Sequence, residues 1–348
     1  MAPGKYPIRI SLYDGKKMAK ISEDEIEITI VDAELPKQTL KYTNWFHCDS
    51  IADYYNVKPL SNKHWKLIDS FLGEYTKHGF NMILTPVFTP PLDTKVGSER
   101  TTVQLVDISF EKGKYSFDFT KLSRWLELCK KHDIKYLEMP HLYTQWGAEH
   151  APKIVVKESG KNIKKFGWKT DAESPEYKEF LSQFLPQLVE FLDNNWKKEN
   201  VYFHISDEPR IHHIDHYGNL YKFVKPMLKD VNLIDALSRI ELYNRGFVDV
   251  PAVNTPNVNT FIEAGHKNIW AYYCCSEGNE NYSNRFIAMP SFRNRITGIQ
   301  VYALDMKGFL HWGFNFYYAR LSTHKINPYL STDADGRFPA GDSFVVYP

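Results

Sequence analysis

From Thr43 onward the chain alternates short apolar runs with longer stretches in which apolar residues recur every three or four positions. This is the pattern of strands followed by amphipathic helices around a parallel sheet. Eight runs read as strands: TNWFHC (Thr43 to Cys48), FNMILTPVF (Phe80 to Phe88), IKYLEMP (Ile134 to Pro140), VYFHIS (Val201 to Ser206), VNLIDALS (Val231 to Ser238), FVDVPAV (Phe247 to Val253), NIWAYYC (Asn268 to Cys274) and FLHWGFNF (Phe309 to Phe316). Between them HWKLIDSFLGEYTKHG, FTKLSRWLELCKKHD, SPEYKEFLSQFLPQLVEFLDNNWKK and IDHYGNLYKFVKPMLKD read as helices. Ser61, Asp118 and Ser174 stand where side chains cap N-termini, and Gly79 where a helix closes. Eight βα units over roughly 280 residues predict a (β/α)8 barrel, an open doubly wound sheet being the alternative. Two segments, Thr89 to Tyr115 and His141 to Thr170, are too long for ordinary connections and are expected to wall a pocket.

Residues 5 to 42 differ. KYPIRISLYDG and DEIEITIVDAELP alternate apolar with polar across a polar turn, as two antiparallel strands do. Two strands are not stable alone, so they are expected to lie on the next domain or to belong to an incomplete β-sandwich. The domain reading is therefore 1–42 for this strand pair and 43–348 for the barrel.

Composition narrows the function. With 348 residues, 43% hydrophobic and 24% charged, the chain can bury a large core. Lys and Arg number 43 against 42 Asp and Glu, a formal charge of +1, so nucleic acid is not an expected partner. No apolar run approaches the roughly 20 residues of a membrane span, and MAPGKYPIRI has no signal-peptide core, so a cytoplasmic protein is expected. Cys48, Cys129, Cys274 and Cys275 are expected as reduced thiols, the adjacent pair in a buried small-residue role. Aromatics reach 15%, and flat rings stack on sugar faces as well as filling cores.

The chemistry concentrates in VYFHISDEP. An apolar strand ends in two adjacent carboxylates, Asp207 and Glu208, and Pro209 stops the ladder. Neighbouring carboxylates repel, which raises the pKa of one and suits the pair to proton transfer. In the barrel reading they lie in the mouth after strand four. His47 and Asp49, Arg100, His141, Gln145, Trp146, His204, Tyr272, Tyr273, Trp312 and Asn315 fall at or just past strand ends. Trp146 or Trp312 could form a platform for a sugar ring, Arg100, His141 and Asn315 could bond hydroxyls, and Tyr272 or Tyr273 could donate a phenolic proton. Strand parity allows one of the two tyrosines to face inward and leaves open which. His204, His212, His213 and His216 lie close in sequence, but without HExxH spacing, and no metal or other cofactor is expected. There is no GxSxG, no P-loop and no GxGxxG after a strand. Hydrolysis by carboxylates is the chemistry that remains.

The stretches NWFHCDS at Asn44, HLYTQWGAEHAPK at His141, FGWKT at Phe166, HISDEP at His204, SNRFIAMP at Ser283, GFLHWGFNFYY at Gly308 and GDSFVVYP at Gly341 resemble the proteins grouped as domain of unknown function 4091. Those are related to glycoside hydrolase family 123, the β-N-acetylgalactosaminidases. The resemblance implies a (β/α)8 barrel preceded by a β-sandwich, a glycan substrate, and a retaining, substrate-assisted mechanism on Asp207 and Glu208. Glu208 would protonate the leaving oxygen and then activate water, while Asp207 would orient the sugar's own 2-acetamido group as it attacks. Relatives carry a whole sandwich and continue past Tyr347-Pro348, so the chain is expected to be part of a longer protein. Two alternatives stand beside this reading. One is a conventional retaining glycosidase with Glu208 as acid and Glu277 as nucleophile; the other is a barrel that binds glycans without cleaving them.

Overall fold

In the computed structural model, which describes all residues except 35, 37 and 279–281, the chain divides between Thr39 and Leu40 into two units. The first is a ribbon of two antiparallel strands, β1 (Gly4–Tyr13) and β2 (Lys20–Ile30), with Ile8 opposite Ile26 and Tyr6 opposite Ile28. Because side chains alternate, Tyr6, Ile8, Ile10, Leu12, Ile26 and Ile28 share one face. Lys5, Arg9 and three glutamates share the other, where Lys5 pairs with Glu27 at 2.6 Å. The second expected strand ran to Pro36; the observed one ends at Ile30, and Leu35 lies outside the described residues.

The second unit is the expected barrel. In chain order it holds β3 (Lys41–Asn44), α1 (Cys48–Tyr54), α2 (Asn62–Lys77), β4 (Met82–Leu84), β5 (Asp107–Glu111), β6 (Lys114–Asp118), α3 (Thr120–Lys131), β7 (Tyr136–Glu138), β8 (Ile154–Glu158) and β9 (Lys161–Phe166). There follow α4 (Pro175–Asn195), β10 (Val201–Phe203), α5 (Ile214–Leu228), β11 (Asn232–Leu237), α6 (Ile240–Asn244), β12 (Val250–Asn254), α7 (Val258–Glu263), β13 (Trp270–Tyr272), α8 (Ser291–Ala303) and β14 (Gly308–His311). Eight strands close in the order β3-β4-β7-β10-β11-β12-β13-β14, all neighbours parallel, with Leu310 of β14 beside Thr43 of β3. Each of the eight apolar runs overlaps one of these strands, and β10 is the fourth.

Parity separates two cores. Met82, Leu84, Tyr202, Ile234, Ala236, Ala252, Trp270 and Tyr272 fill the barrel interior, while Ile83, Leu137, Val201, Phe203 and Leu233 face outward onto the helices. The helices start and stop as their local chemistry dictates. The Ser61 hydroxyl accepts the amide of His64, and Gly79 leaves α2 at φ 85° with its amide on the Thr76 carbonyl. The N-cap of α3 is Phe119 rather than Asp118, which stands one residue earlier with its carboxylate on the Thr120 amide. Ser174 stands at the N-cap of α4, but its hydroxyl makes no capping bond.

The two long segments are not plain loops. They contribute β5, β6, β8 and β9 to one four-stranded sheet, β5 pairing with β8. Each supplies a hairpin with a two-residue turn, Lys112-Gly113 and Ser159-Gly160, all four residues at positive φ. No helix among the described residues is long and apolar enough to cross a membrane.

Interior packing leaves no room at the start of β14. A methyl group on Gly308 would lie 2.2 Å from the indole of Trp270, which is itself fully buried. Gly308→Ala should therefore cost about 1–3 kcal/mol of stability through overpacking, read as a lowered urea midpoint with an unchanged slope.

Candidate active site

The end of strand β10 is bonded at nearly every residue. His204 donates one ring N–H to Asp235 Oδ1 (2.9 Å) and the other to Glu138 Oε1 (2.7 Å). Asp235 Oδ2 accepts the amides of Ile205 and Ser206 (3.3 Å each) and the Tyr217 hydroxyl. The Ser206 hydroxyl donates to the Thr144 carbonyl (2.7 Å), the Tyr143 amide to the Ile205 carbonyl (3.0 Å), and the Trp146 amide to the Asp207 carbonyl (2.8 Å). The Trp45 indole shares Glu138 Oε1 with His204 (2.6 Å), and the Thr43 hydroxyl donates to Oε2 (2.5 Å). Strands β3, β7, β10 and β11 are thus tied together directly below Asp207 and Glu208.

His204 bridges two carboxylates through both nitrogens, so the arrangement holds an imidazolium. Burial works against that charge, but the hydrogen bonds and negative charges of Asp235 and Glu138 prevail and raise its pKa to about 9. His141 stacks on it with ring centroids 4.3 Å apart and is kept neutral, its pKa driven well down by burial and by the charge of His204.

Above this platform a cleft of about 600 Å³ opens at the C-terminal ends of the strands. Asp207 and Glu208 line it together with Trp45, Leu92, Asp93, Trp146, Ala236, Tyr272, Cys274, Cys275, Leu310, Trp312 and Phe338. In extended backbone, consecutive side chains point to opposite sides. Glu208 adopts φ 45°, and this left-handed turn lets both acids border one space. Burial and the charge of Glu208 raise the pKa of Asp207 well above the usual carboxylate range. Burial also raises that of Glu208, against a hydrogen bond from the Tyr272 hydroxyl (2.6 Å) that favours its carboxylate.

Of the residues singled out by sequence, Trp146, Tyr272 and Trp312 join the acid pair in the cleft, and the rest lie elsewhere for identifiable reasons. Tyr272 faces inward; Tyr273 packs outward among Phe309, Val301 and Met306 and is no part of the cleft wall. Arg100 is buried in a two-pronged pair with Asp49 (2.7 and 2.8 Å). Its remaining donors reach His47 Nδ1 (3.0 Å) and the Leu92 carbonyl (3.2 Å), so it spends its bonds on the protein. Asn315 clasps both backbone groups of His47, and the His47 ring donates to the Trp312 carbonyl. Gln145 donates to the Thr94 carbonyl, and His141 and His204 sit beneath the cleft floor rather than in it.

Glu277 is also committed locally. Its two oxygens accept the Cys274 amide and the Ser276 hydroxyl, both at 2.7 Å, and it does not line the cleft. The cysteine expectation holds for Cys48 and Cys129, which are buried and free. Cys274 and Cys275 are free as well, but the buried role expected for them fails: Cys274 is half-buried and Cys275 exposed, because the chain turns at Cys274 as it leaves β13.

The four histidines near Asp207 do not converge, since the rings of His212 and His213 lie against each other, tilted by 57° in a short turn, and His216 donates to the Ala148 carbonyl. His141, His204 and Asp235 do bring ligand-type atoms within 4.8 Å of one another. They do not suit a metal: both nitrogens of His204 already serve carboxylates. The two rings also lie within 25° of parallel, whereas an ion must lie in the plane of each imidazole that binds it.

The cleft residues missed by sequence are Trp45, Leu92, Asp93, Ala236, Leu310, Phe338 and the two cysteines, and beneath them Glu138 and Asp235. The last two had a signal, an acid inside each of the apolar runs IKYLEMP and VNLIDALS. Asp93, in a proline turn well past strand two, had none.

The site is an acid pair in a tryptophan-lined cleft at the strand ends of a closed parallel barrel, the face on which enzymes of the (β/α)8 class carry their active sites. The sequence profile described as "Glycoside hydrolase 123, catalytic domain" matches residues 45–348, and the chain belongs to that family of glycoside hydrolases. Among solved structures, a family 123 glycoside hydrolase from Clostridium perfringens, studied for glycolipid glycan hydrolysis, superposes with a TM-score of 0.71 at 15% identity, over 100% of this chain and 60% of that one. The chain thus spans about three fifths of that enzyme's length. A family 2 glycosyl hydrolase from Bacteroides cellulosilyticus (TM-score 0.44, 13% identity, 96% of this chain and 37% of that one) is more distant. So is a family 5 mannosidase from Rhizomucor miehei (0.44, 12%, 87% and 86%). No curated protein sequence matches the chain.

The position of Arg100 has a measurable consequence. Arg100→Ala leaves the Asp49 carboxylate buried without its partner and should cost about 3 kcal/mol of stability by urea unfolding. A residue that merely contacted substrate would leave the unfolding midpoint unchanged.

Proposed function

We propose that the chain is the catalytic part of a retaining, exo-acting hydrolase of β-linked 2-acetamido sugars, N-acetylgalactosamine foremost, working through an oxazoline intermediate. The observation that carries the reading is the pair itself: two acids on successive residues, both with raised pKa, bordering one aromatic cleft, in a member of family 123. Both carboxylates come from a single strand end. Conventional retaining enzymes instead hold an acid and a nucleophile about 5–5.5 Å apart on the two sides of the scissile bond. Glu277, the nucleophile that such a mechanism would call on, has both oxygens occupied in its own turn.

In the proposed reaction Glu208 gives its proton to the glycosidic oxygen as that bond breaks. The carbonyl oxygen of the 2-acetamido group attacks the anomeric carbon. With Glu208 protonated, the neighbouring charge that helps raise the pKa of Asp207 is gone, and Asp207 is the ionised member of the pair, accepting from the amide N–H and balancing the positive charge of the ring that forms. Water, deprotonated by Glu208, then opens the oxazoline with overall retention. The tryptophans Trp146, 37% exposed, and Trp312 offer flat apolar faces to the sugar. The hydrogen bond from Tyr272 lets Glu208 alternate between acid and base by steadying its carboxylate form.

Two measurements test this. Glu208→Gln should reduce release of 4-nitrophenol from its β-N-acetylgalactosaminide by at least about 10²-fold with the fold intact by circular dichroism, while the plain β-galactoside is not cleaved by either protein. Undiminished turnover, or cleavage of the galactoside, would remove the reading. Tyr272→Phe takes away a donor that favours the Glu208 carboxylate, so the pKa of Glu208 should rise. The acid form then persists to higher pH, and the alkaline limb of the kcat/KM profile should move upward, with roughly tenfold lower activity at its maximum.

A further inference from the structure

Among the described residues, Asp93 is the one acid lining the cleft that the proposed reaction does not use. It follows Pro90, Pro91 and Leu92 in the segment after strand two and borders the same space as Asp207 and Glu208. Its setting is rigid and strained. Asp93 adopts φ 39°, and the two residues that grip it, Leu321 and Ser322 from the segment after strand eight, adopt φ 59° and 50°. The Leu321 amide donates to Asp93 Oδ2 (2.8 Å), the Ser322 hydroxyl to the Asp93 carbonyl (2.7 Å), and the Lys95 amide to the Leu321 carbonyl (2.9 Å). From behind, Arg100 holds the carbonyl of Leu92 (3.2 Å). Three non-glycine residues in left-handed backbone at one contact are costly and cluster where geometry serves a ligand.

A carboxylate accepts at about four positions, and one backbone amide fills one of them. We propose that Asp93 is the hydroxyl-selecting residue of the sugar site: its carboxylate accepts from ring hydroxyls that the acid pair does not engage, those at C3, C4 or C6 of the terminal sugar. The proposal rests on the catalytic reading of Asp207 and Glu208, which assigns the anomeric oxygen and the 2-acetamido group to that pair. The Leu321 amide already donates to the Asp93 carboxyl, which sets it as an acceptor, and hydroxyls bond more strongly to an ionised acceptor, so recognition should be strongest with Asp93 ionised. Burial lifts its pKa to about 6 against the Leu321 amide and the charges of Arg100 and Arg320, with Asp207 and Asp342 the other acids within electrostatic reach. Protonation on acidification removes an acceptor, so sugar binding should weaken as pH falls through about 6.

The test is calorimetric titration of wild type, Asp93→Asn and Asp93→Ala with N-acetylgalactosamine and its C4 epimer N-acetylglucosamine, at pH 7.5 and pH 5, alongside kcat and KM on the 4-nitrophenyl glycosides. Asparagine can still accept the Leu321 amide, so the thermal midpoint of Asp93→Asn should match wild type. Its affinity for the sugar should nevertheless fall about tenfold or more, as loss of hydrogen bonds to a charged acceptor predicts. The discrimination between epimers should shrink, KM should rise more than kcat falls, and the difference in binding between the two pH values should become smaller than in wild type, the remainder belonging to Asp207 and Glu208. Wild-type affinity in both variants overturns the proposal, as does a wild type that binds neither sugar. Loss of kcat with binding and KM unchanged overturns it too, since Asp93 would then be acting on the reacting atoms. Sugar binding that depends on Asp93 in a protein that cleaves nothing supports the hydroxyl-selecting role while removing the hydrolase reading. Cleavage indifferent to Asp93 does the reverse.

Discussion

The interaction on which the site depends is the ion cluster Glu138–His204–Asp235. Its three members are fully buried, and a charge removed from water at that depth is tolerable only when every hydrogen-bonding position is filled. Here each is filled by something useful: Glu138 by groups from β3, His204 by the two acids, Asp235 by the backbone that leads into Asp207. The cluster converts the desolvation cost of three charges into a fixed path for five residues. A catalytic pair held on a strand end needs that kind of support, because an acid displaced by an ångström no longer meets the bond it must protonate.

Sequence reading reached the barrel because period and parity are strong signals over eight repeats. Adjacent acids after an apolar run were likewise visible, and their place in the cleft follows from the strand count. What it could not separate was a polar side chain that faces a ligand from one that ties two loops together. Arg100, Asn315 and His47 have the composition of a sugar site and are instead partners of one another's loops, Asn315 on the His47 backbone and Arg100 on its ring. Their spacing of 53 and 268 residues along the chain hides those pairings from any local pattern. Asp93 and Phe338 were missed for the converse reason. They lie far beyond strand ends, and long connections bring them back to the cleft.

The hairpins within the long connections were visible in principle. Glu-Lys-Gly-Lys and Glu-Ser-Gly-Lys, each between short alternating runs, are two-residue turn signals, and expecting a loop there meant weighing length above turn chemistry. Parity settled the tyrosines: one position along β13 separates Tyr272, bonded to Glu208, from Tyr273, packed against the outer layer.

Those hairpins also bear on how the site was assembled. Because β5 from one connection pairs with β8 from the other, the connections after strands two and three share a single sheet with one set of main-chain bonds, and the cleft residues Asp93 and Trp146 are carried on the ends of that shared body. Neither can lengthen, shrink or swing away without breaking a ladder that belongs to both. The connection after strand eight is fastened to the same body, through Leu321 and Ser322 on Asp93 and Lys95 on Leu321. Three connections that are far apart along the chain thus move as one part, and a displacement in any of them is passed on to the others.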